Sequence, residues 1–325
     1  MRRFFAALLI LFLLPALCGG CGKPAEVPLA DYEKEVLSGL TENRILSERL
    51  KPMTDGTAVL TGDEQFDPVY VYSDYAGLFS EADARVLYAK SATVKTYPAS
   101  LTKCMTALLV IENISDLERL VEVTEVKDYG LKEPGSSAGL QLTERYSVKD
   151  LLYGLILPSG NDAANVLANA VAGSVPAFVD MMNARAHELG MMGTHFANPH
   201  GVYEPEHYTT VYDLYLLVRE CIRHELFTEV ASSESADLLV RYTDGTSEVR
   251  TLTSTNSYIK QYTILPNGLR LLATKTGYTP SAGRCLIVAA KKNEDVYIGI
   301  ITHAASYDLL FEEMNKLFRL TEEAE

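Results

Sequence analysis

Ser100 and Lys103 stand three positions apart in YPASLTKCMT, just ahead of the apolar run MTALLV. On a helix, positions i and i+3 share a face, so the lysine amine can reach the serine hydroxyl. A serine hydroxyl is a poor nucleophile until a neighbouring base takes its proton. Lysine serves as that base when burial or a second cation depresses its pKa. Ser159-Gly160-Asn161 adds a hydroxyl that could relay a proton to a leaving group. Its amide could hold a substrate amide or the Lys103 amine. Lys275-Thr276-Gly277 supplies the second cation, a Lys–Thr pair suited to a carboxylate, and a glycine that admits close backbone approach. The backbone N–H groups of Ser100 and Tyr278 would complete an oxyanion hole.

The letters alone prove little, because Ser-x-x-Lys arises by chance about once in a chain of this length. A second copy, Ser257-Tyr258-Ile259-Lys260, is present, as is a second Ser-x-Asn at Ser254-Thr255-Asn256. Context separates them. Ser100 follows a proline-containing turn and opens a helix-like run. Ser257 leads into QYTILPNG, where Pro266 and Asn267-Gly268 deny a long helix. In the second set Ser-x-Asn also precedes Ser-x-x-Lys, the reverse of the first.

PASLTK, PSGND and KTGYT occur in that order, a three-motif signature of penicillin-binding proteins and class A β-lactamases. From about residue 68 to 320 the chain resembles the serine D-alanyl-D-alanine carboxypeptidases among the low-molecular-mass penicillin-binding proteins. GSSAGLQL, LLYGLILPSGNDAANVLA, FVDMMNARAHELGM, THFANPHG and HYTTVYDL carry the likeness further. The resemblance implies an acyl-enzyme on Ser100, formed on a peptidoglycan stem peptide ending in D-Ala-D-Ala, with release of the last D-alanine. Water would then hydrolyse the ester with Lys103 as base, and β-lactam antibiotics would acylate Ser100 more durably. Ser100, Lys103, Ser159 and Asn161 are the expected catalytic residues. Lys275, Thr276, Gly277 and Tyr278 are the expected substrate-binding residues. No cofactor and no metal is expected. A serine β-lactamase would share the motifs, but PSGND and ANPHG favour the carboxypeptidase and no counterpart of the β-lactamase loop glutamate stands out. A catalytically weak cell-wall-binding lipoprotein would have lost a motif residue, and none is lost.

Rival constellations are poorer. Gly135-Ser136-Ser137-Ala138-Gly139 fits G-x-S-x-G, with Asp162 and His195 following. A nucleophile elbow needs a strand before it and a helix after it, and KEP precedes this one. A loop at the edge of the site is the better assignment. His195, His200 and His207 cluster in THFANPHGVYEPEHY without zinc-ligand spacing, so a structural loop is expected.

The 325 residues are 47% hydrophobic and 22% charged, an ordinary globular composition, and the net charge of −14 excludes a nucleic-acid partner. The N-terminus differs: MRR, then FFAALLILFLLPAL, then small residues, reads as an export signal over residues 1–21. Leu17-Cys18-Gly19-Gly20-Cys21 resembles a bacterial lipoprotein processing site, with Cys18 where such boxes carry leucine. Lipidation of Cys21 would tether the protein to the extracytoplasmic face of the cell membrane, in place of the C-terminal amphipathic anchor of many family members. Cleavage and release, or an uncleaved anchor, are the alternatives. Cys104, Cys221 and Cys285 form no CxxC pair and read as buried thiols.

Residues 22–66 read as a spacer and 67–320 as the catalytic domain, followed by a tail at 321–325. Strand-like segments come first and last, with helices capped at Ser147, Asn161, Thr209 or Thr210, and Ser306 between and after them. That order is α+β with antiparallel pairing. The resemblance implies the penicillin-binding protein and serine β-lactamase fold: an antiparallel sheet flanked by helices (68–105 and 238–320) plus a helical subdomain (106–237). The site would lie in the cleft between them.

Overall fold

The computed structural model describes residues 69–124 and 135–322. The export signal, Cys21, the spacer, Lys132-Glu133-Pro134 and the last three residues lie outside the described residues.

Two antiparallel sheets form. The larger has the order β2-β1-β9-β8-β7, built from β1 (Tyr75–Ser80), β2 (Arg85–Lys90), β7 (Arg270–Thr279), β8 (Gly283–Lys292) and β9 (Asp295–Ala304). Continuous apolar runs in β8 and β9 are buried on both faces, as in a strand covered by layers on either side. One face packs Leu286, Val288 and Ile301 against Leu310, Met314 and Phe318 of the last helix, α7 (Tyr307–Arg319). That helix starts where Ser306 Oγ accepts the Leu309 amide, a cap whose loss costs about 1 kcal/mol. Its buried Glu313 accepts the amides of Tyr72 and Ser73, pinning that segment to the helix.

The other face packs Ile287, Ala289, Ile298 and Ile300 against the helical half. Its centre is α1 (Lys103–Asn113), which buries every residue from Lys103 to Val110. A helix that is covered all round belongs inside a core. Around it lie α2 (Val148–Ile156), α3 (Asn161–Ala172), α4 (Val175–Glu188), α5 (Val211–Cys221) and α6 (Glu225–Ser232). Ser147 Oγ caps α2 through the Asp150 amide and Thr210 Oγ1 caps α5 through the Asp213 amide.

One expectation is corrected. The segment 238–253, expected in the sheet that faces the helices, forms a hairpin turning at Asp244-Gly245 and does not join that sheet. β5 (Ser235–Arg241) and β6 (Ser247–Thr253) pair with β3 (Leu120–Glu122) and β4 (Arg145–Ser147) in a separate four-stranded sheet, ordered β3-β4-β5-β6. The reason is their patterning: β6 buries none of its residues, so it suits a solvated ribbon, not a central strand. The site-bearing sheet therefore takes only 75–90 and 270–304. Residues 91–98 are not strand, and the helical half begins at Lys103 and holds β3 and β4 as well.

Candidate active site

Ser100 sits in a 3-10 turn, Ala99–Thr102, that leads directly into α1 at Lys103. Ala99 has φ +47°, a left-handed conformation that costs an L-residue of order 1 kcal/mol. The turn is held on several sides. Thr102 Oγ1 donates to Ala99 O and meets His207 Nε2 at 2.8 Å. His207 Nδ1 accepts from the Ala197 amide, so Nε2 carries the proton and donates to Thr102. Complete burial holds that imidazole far down, at about 3, and therefore neutral. Gly201, at φ +91°, packs so closely that an added Cβ would lie 1.8 Å from Ala99 O.

The Lys103 side chain is fully buried. Its Nζ lies 2.9 Å from Ser100 Oγ, 2.7 Å from Asn161 Oδ1 and 2.7 Å from His200 O. Desolvation, and then the nearby charge of Lys275, hold this amine well below the ordinary lysine value; Asp162 opposes them. A neutral amine has two N–H groups and one lone pair. In that form the two N–H groups match Asn161 Oδ1 and His200 O, which have no proton to give, and the lone pair is left for Ser100. The donor inventory thus assigns Lys103 the role of proton acceptor.

Lys275, on β7, is also buried, and burial lowers its pKa to about 8. It donates to Ser159 Oγ at 2.9 Å and to Thr276 O at 2.7 Å. Two of three ammonium donors are thereby used among the described residues, and the third is free for an anion. Burial thus lowers both amines, and Lys103 is lowered further by the charge of Lys275.

Ser159 also adopts a left-handed backbone, φ +64°, in the turn between α2 and α3. Asn161 opens α3, with its amide on Ser136 O at 2.8 Å. Asp162 next to it accepts from the Ala138, Leu140 and Ala163 amides and from Ser137 Oγ. That carboxylate therefore fastens the 136–140 loop to the start of α3, where an anion also suits the helix dipole.

β7 is an edge strand of the larger sheet. Gly277 brings it against the serine turn: an added Cβ would lie 3.0 Å from Ser100 N and 3.1 Å from Ala99 Cβ. Tyr278 follows, 47% exposed.

All eight expected residues therefore fall on three elements: the serine turn with α1, the turn into α3, and β7. Direct hydrogen bonds join Lys103 to Ser100 and Asn161, and Lys275 to Ser159, while Thr276, Gly277 and Tyr278 continue β7. The second set does not assemble a site: Asn256 Nδ2 donates to Thr274 Oγ1, and Asn256 Oδ1 accepts the Tyr258 amide. The G-x-S-x-G rival fails too. Ser137 bonds Asp162, while His195 Nδ1 is occupied by Glu206 O. Sequence reasoning missed the His200 carbonyl, because a backbone acceptor leaves no letter. It also gave Asp162 only to the rival, although its place beside Asn161 in PSGND was a usable signal.

Comparison with known proteins agrees with this geometry. The family model described as D-alanyl-D-alanine carboxypeptidase matches residues 65–306. The D-alanyl-D-alanine carboxypeptidase DacF of Bacillus subtilis is 33% identical over 232 residues, which is 71% of this chain and 57% of that protein. DacD of Escherichia coli is 33% identical over 251 residues, 74% of this chain and 61% of that protein. The chain thus spans roughly three fifths of the length of these two relatives. Among solved structures, the Streptomyces K15 DD-transpeptidase superposes with a TM-score of 0.73 at 25% identity, covering 78% of this chain and 98% of that one. Motif order, the lysine-centred geometry and these matches converge, and the chain belongs to the D-alanyl-D-alanine carboxypeptidase family.

Proposed function

We propose that the protein is a serine D-Ala-D-Ala carboxypeptidase of peptidoglycan stem peptides. The observation that carries the reading is the fully buried Lys103 amine 2.9 Å from Ser100 Oγ, where burial favours its neutral, proton-accepting form. The peptide adds alongside β7, its terminal carboxylate on the free Lys275 donor and Thr276. Asn161 Nδ2 donates to the substrate amide. Lys103 takes the Ser100 proton as Oγ attacks the carbonyl between the two D-alanines. The developing oxyanion accepts the Ser100 and Tyr278 amides, a type of contact worth about 3 kcal/mol per donor. The proton then reaches the leaving D-alanine nitrogen through Ser159, whose hydroxyl is oriented by Lys275. Water hydrolyses the ester, with Lys103 again the base.

The test is D-alanine release from a stem-peptide mimic, together with labelling by a fluorescent penicillin. Both vanish in Ser100→Ala; labelling that survives there removes Ser100 from its role. Persistence of the wild-type label separates a carboxypeptidase from a β-lactamase, which would clear it quickly.

The same reading places the enzyme outside the cytoplasm. Residues 1–21 direct export and Cys21 carries a lipid anchor. Cys21→Ala then frees the protein from the membrane fraction; unchanged retention refutes the lipid.

A further inference from the structure

Beyond the end of β7 lies a cavity of about 450 Å³, lined by Tyr278, Pro280, Arg284, Asp74, His303 and Leu309, among others. Arg284 stands opposite Tyr278 in the β7–β8 register and opposite Ala304 in the β8–β9 register. Its guanidinium is clamped between two aromatic faces, 3.5 Å from the Tyr278 ring centroid and 4.8 Å from that of Tyr307. Such stacking holds the planar fork in place without consuming its in-plane donors. Its Nε is buried and has no hydrogen-bond partner. Asp74, the acidic side chain lining the cavity, is taken by His303. A stacked guanidinium with an unpaired, buried Nε–H is suited to receive an anion.

Its position says which anion. In the proposed reaction, on which this inference rests, the substrate's terminal carboxylate lies at Lys275 and Thr276 and the attacked carbonyl at Tyr278. An extended peptide along an edge strand advances about 3.3 Å per residue. Its acyl portion therefore runs from Tyr278 toward Pro280 and enters this cavity one to two residues upstream of the acyl D-alanine. We propose that Arg284 binds a free carboxylate carried by the stem peptide upstream of D-Ala-D-Ala, and so selects stem peptides that bear one. Two stem residues can offer that group: the residue just before D-Ala-D-Ala, through a carboxylated side chain, or the residue before it.

The experiment compares kcat/KM for D-alanine release from three synthetic peptides. One is neutral upstream, one has a carboxylate on the residue just before D-Ala-D-Ala, and one has it a residue earlier. Wild type is expected to prefer one of the acidic peptides over the neutral one by about tenfold, the scale of a charge-assisted hydrogen bond; the preferred peptide identifies the source. Arg284→Gln should abolish that ratio, mainly through KM, and Arg284→Lys should keep part of it. A wild type without preference overturns the proposal. So does an Arg284→Gln variant that loses all three peptides and penicillin acylation equally, since the arginine would then serve the terminal carboxylate or the fold. Release without preference sinks this inference alone, whereas no release from any peptide sinks the carboxypeptidase reading and this inference with it.

Discussion

Two stretches of this molecule carry the same letters, Ser-x-x-Lys, and behave differently. At 100–103 the pair spans a 3-10 turn and the first residue of a buried helix, and the amine is fully enclosed by Asn161 and a backbone carbonyl. At 257–260 the pair lies in a short turned segment, where Lys260 is only partly buried and its backbone amide bonds Asn256 O. The nearby Ser254 Oγ accepts the Asn256 amide, and Asn256 spends its side chain on the Tyr258 amide and on Thr274. What makes a lysine a base is therefore removal of water and the presence of Lys275, not spacing from a serine.

Substitutions and pH can break that contrast. Lys103→Ala is expected to lower the rate of penicillin acylation by 10²–10⁴-fold, the usual worth of a positioned base, roughly. Lys260→Ala should leave the rate unchanged; stopped-flow labelling of both variants decides. Gly201→Ala forces a methyl against Ala99 O, so the serine turn must shift. We expect a loss of about 3 kcal/mol in stability, read by urea denaturation, with acylation falling alongside.

The pH profile gives the next largest effect. Acylation needs neutral Lys103, so kcat/KM should fall by about tenfold per pH unit as the pH drops below the lowered pKa of that amine. Above about 8, Lys275 loses its charge and KM for a carboxylate-ended peptide should rise. The stability sign is opposite to that of a salt-bridged lysine. Between about 8 and 10.5 the folded chain has shed the Lys275 proton while the unfolded chain keeps it, so this group makes stability rise with pH. An alkaline limb that persists unmoved in Lys275→Ala would exclude that lysine. Smallest is Asn256→Ala, which should cost about 1–2 kcal/mol of stability through the lost turn and Thr274 contacts, with the labelling rate untouched.

Much of the site was legible because its chemistry resides in side chains whose order along the chain is characteristic. The caps at Ser147, Thr210 and Ser306 were legible for the same reason: each acts locally. What sequence did not reveal was long-range. Strand propensity identified β5 and β6 but not their sheet, because membership depends on which faces find cover, and Arg145 meets Arg241 across 96 positions of chain. His200 contributes a carbonyl, Gly201 contributes the absence of a methyl, and Arg284 acts through tyrosines on two other elements. None of these leaves a spacing to read.

The three thiols of the described residues have a practical use. Cys104, Cys221 and Cys285 are all enclosed, and desolvation pushes the first and last up to about 12 and the middle one well above its normal value. The thiolate that alkylating reagents require is thus scarce in the native fold. Cys104 and Cys221 belong to helices and Cys285 to β8, so the order in which they become modified in mild denaturant would report which half of the molecule opens first.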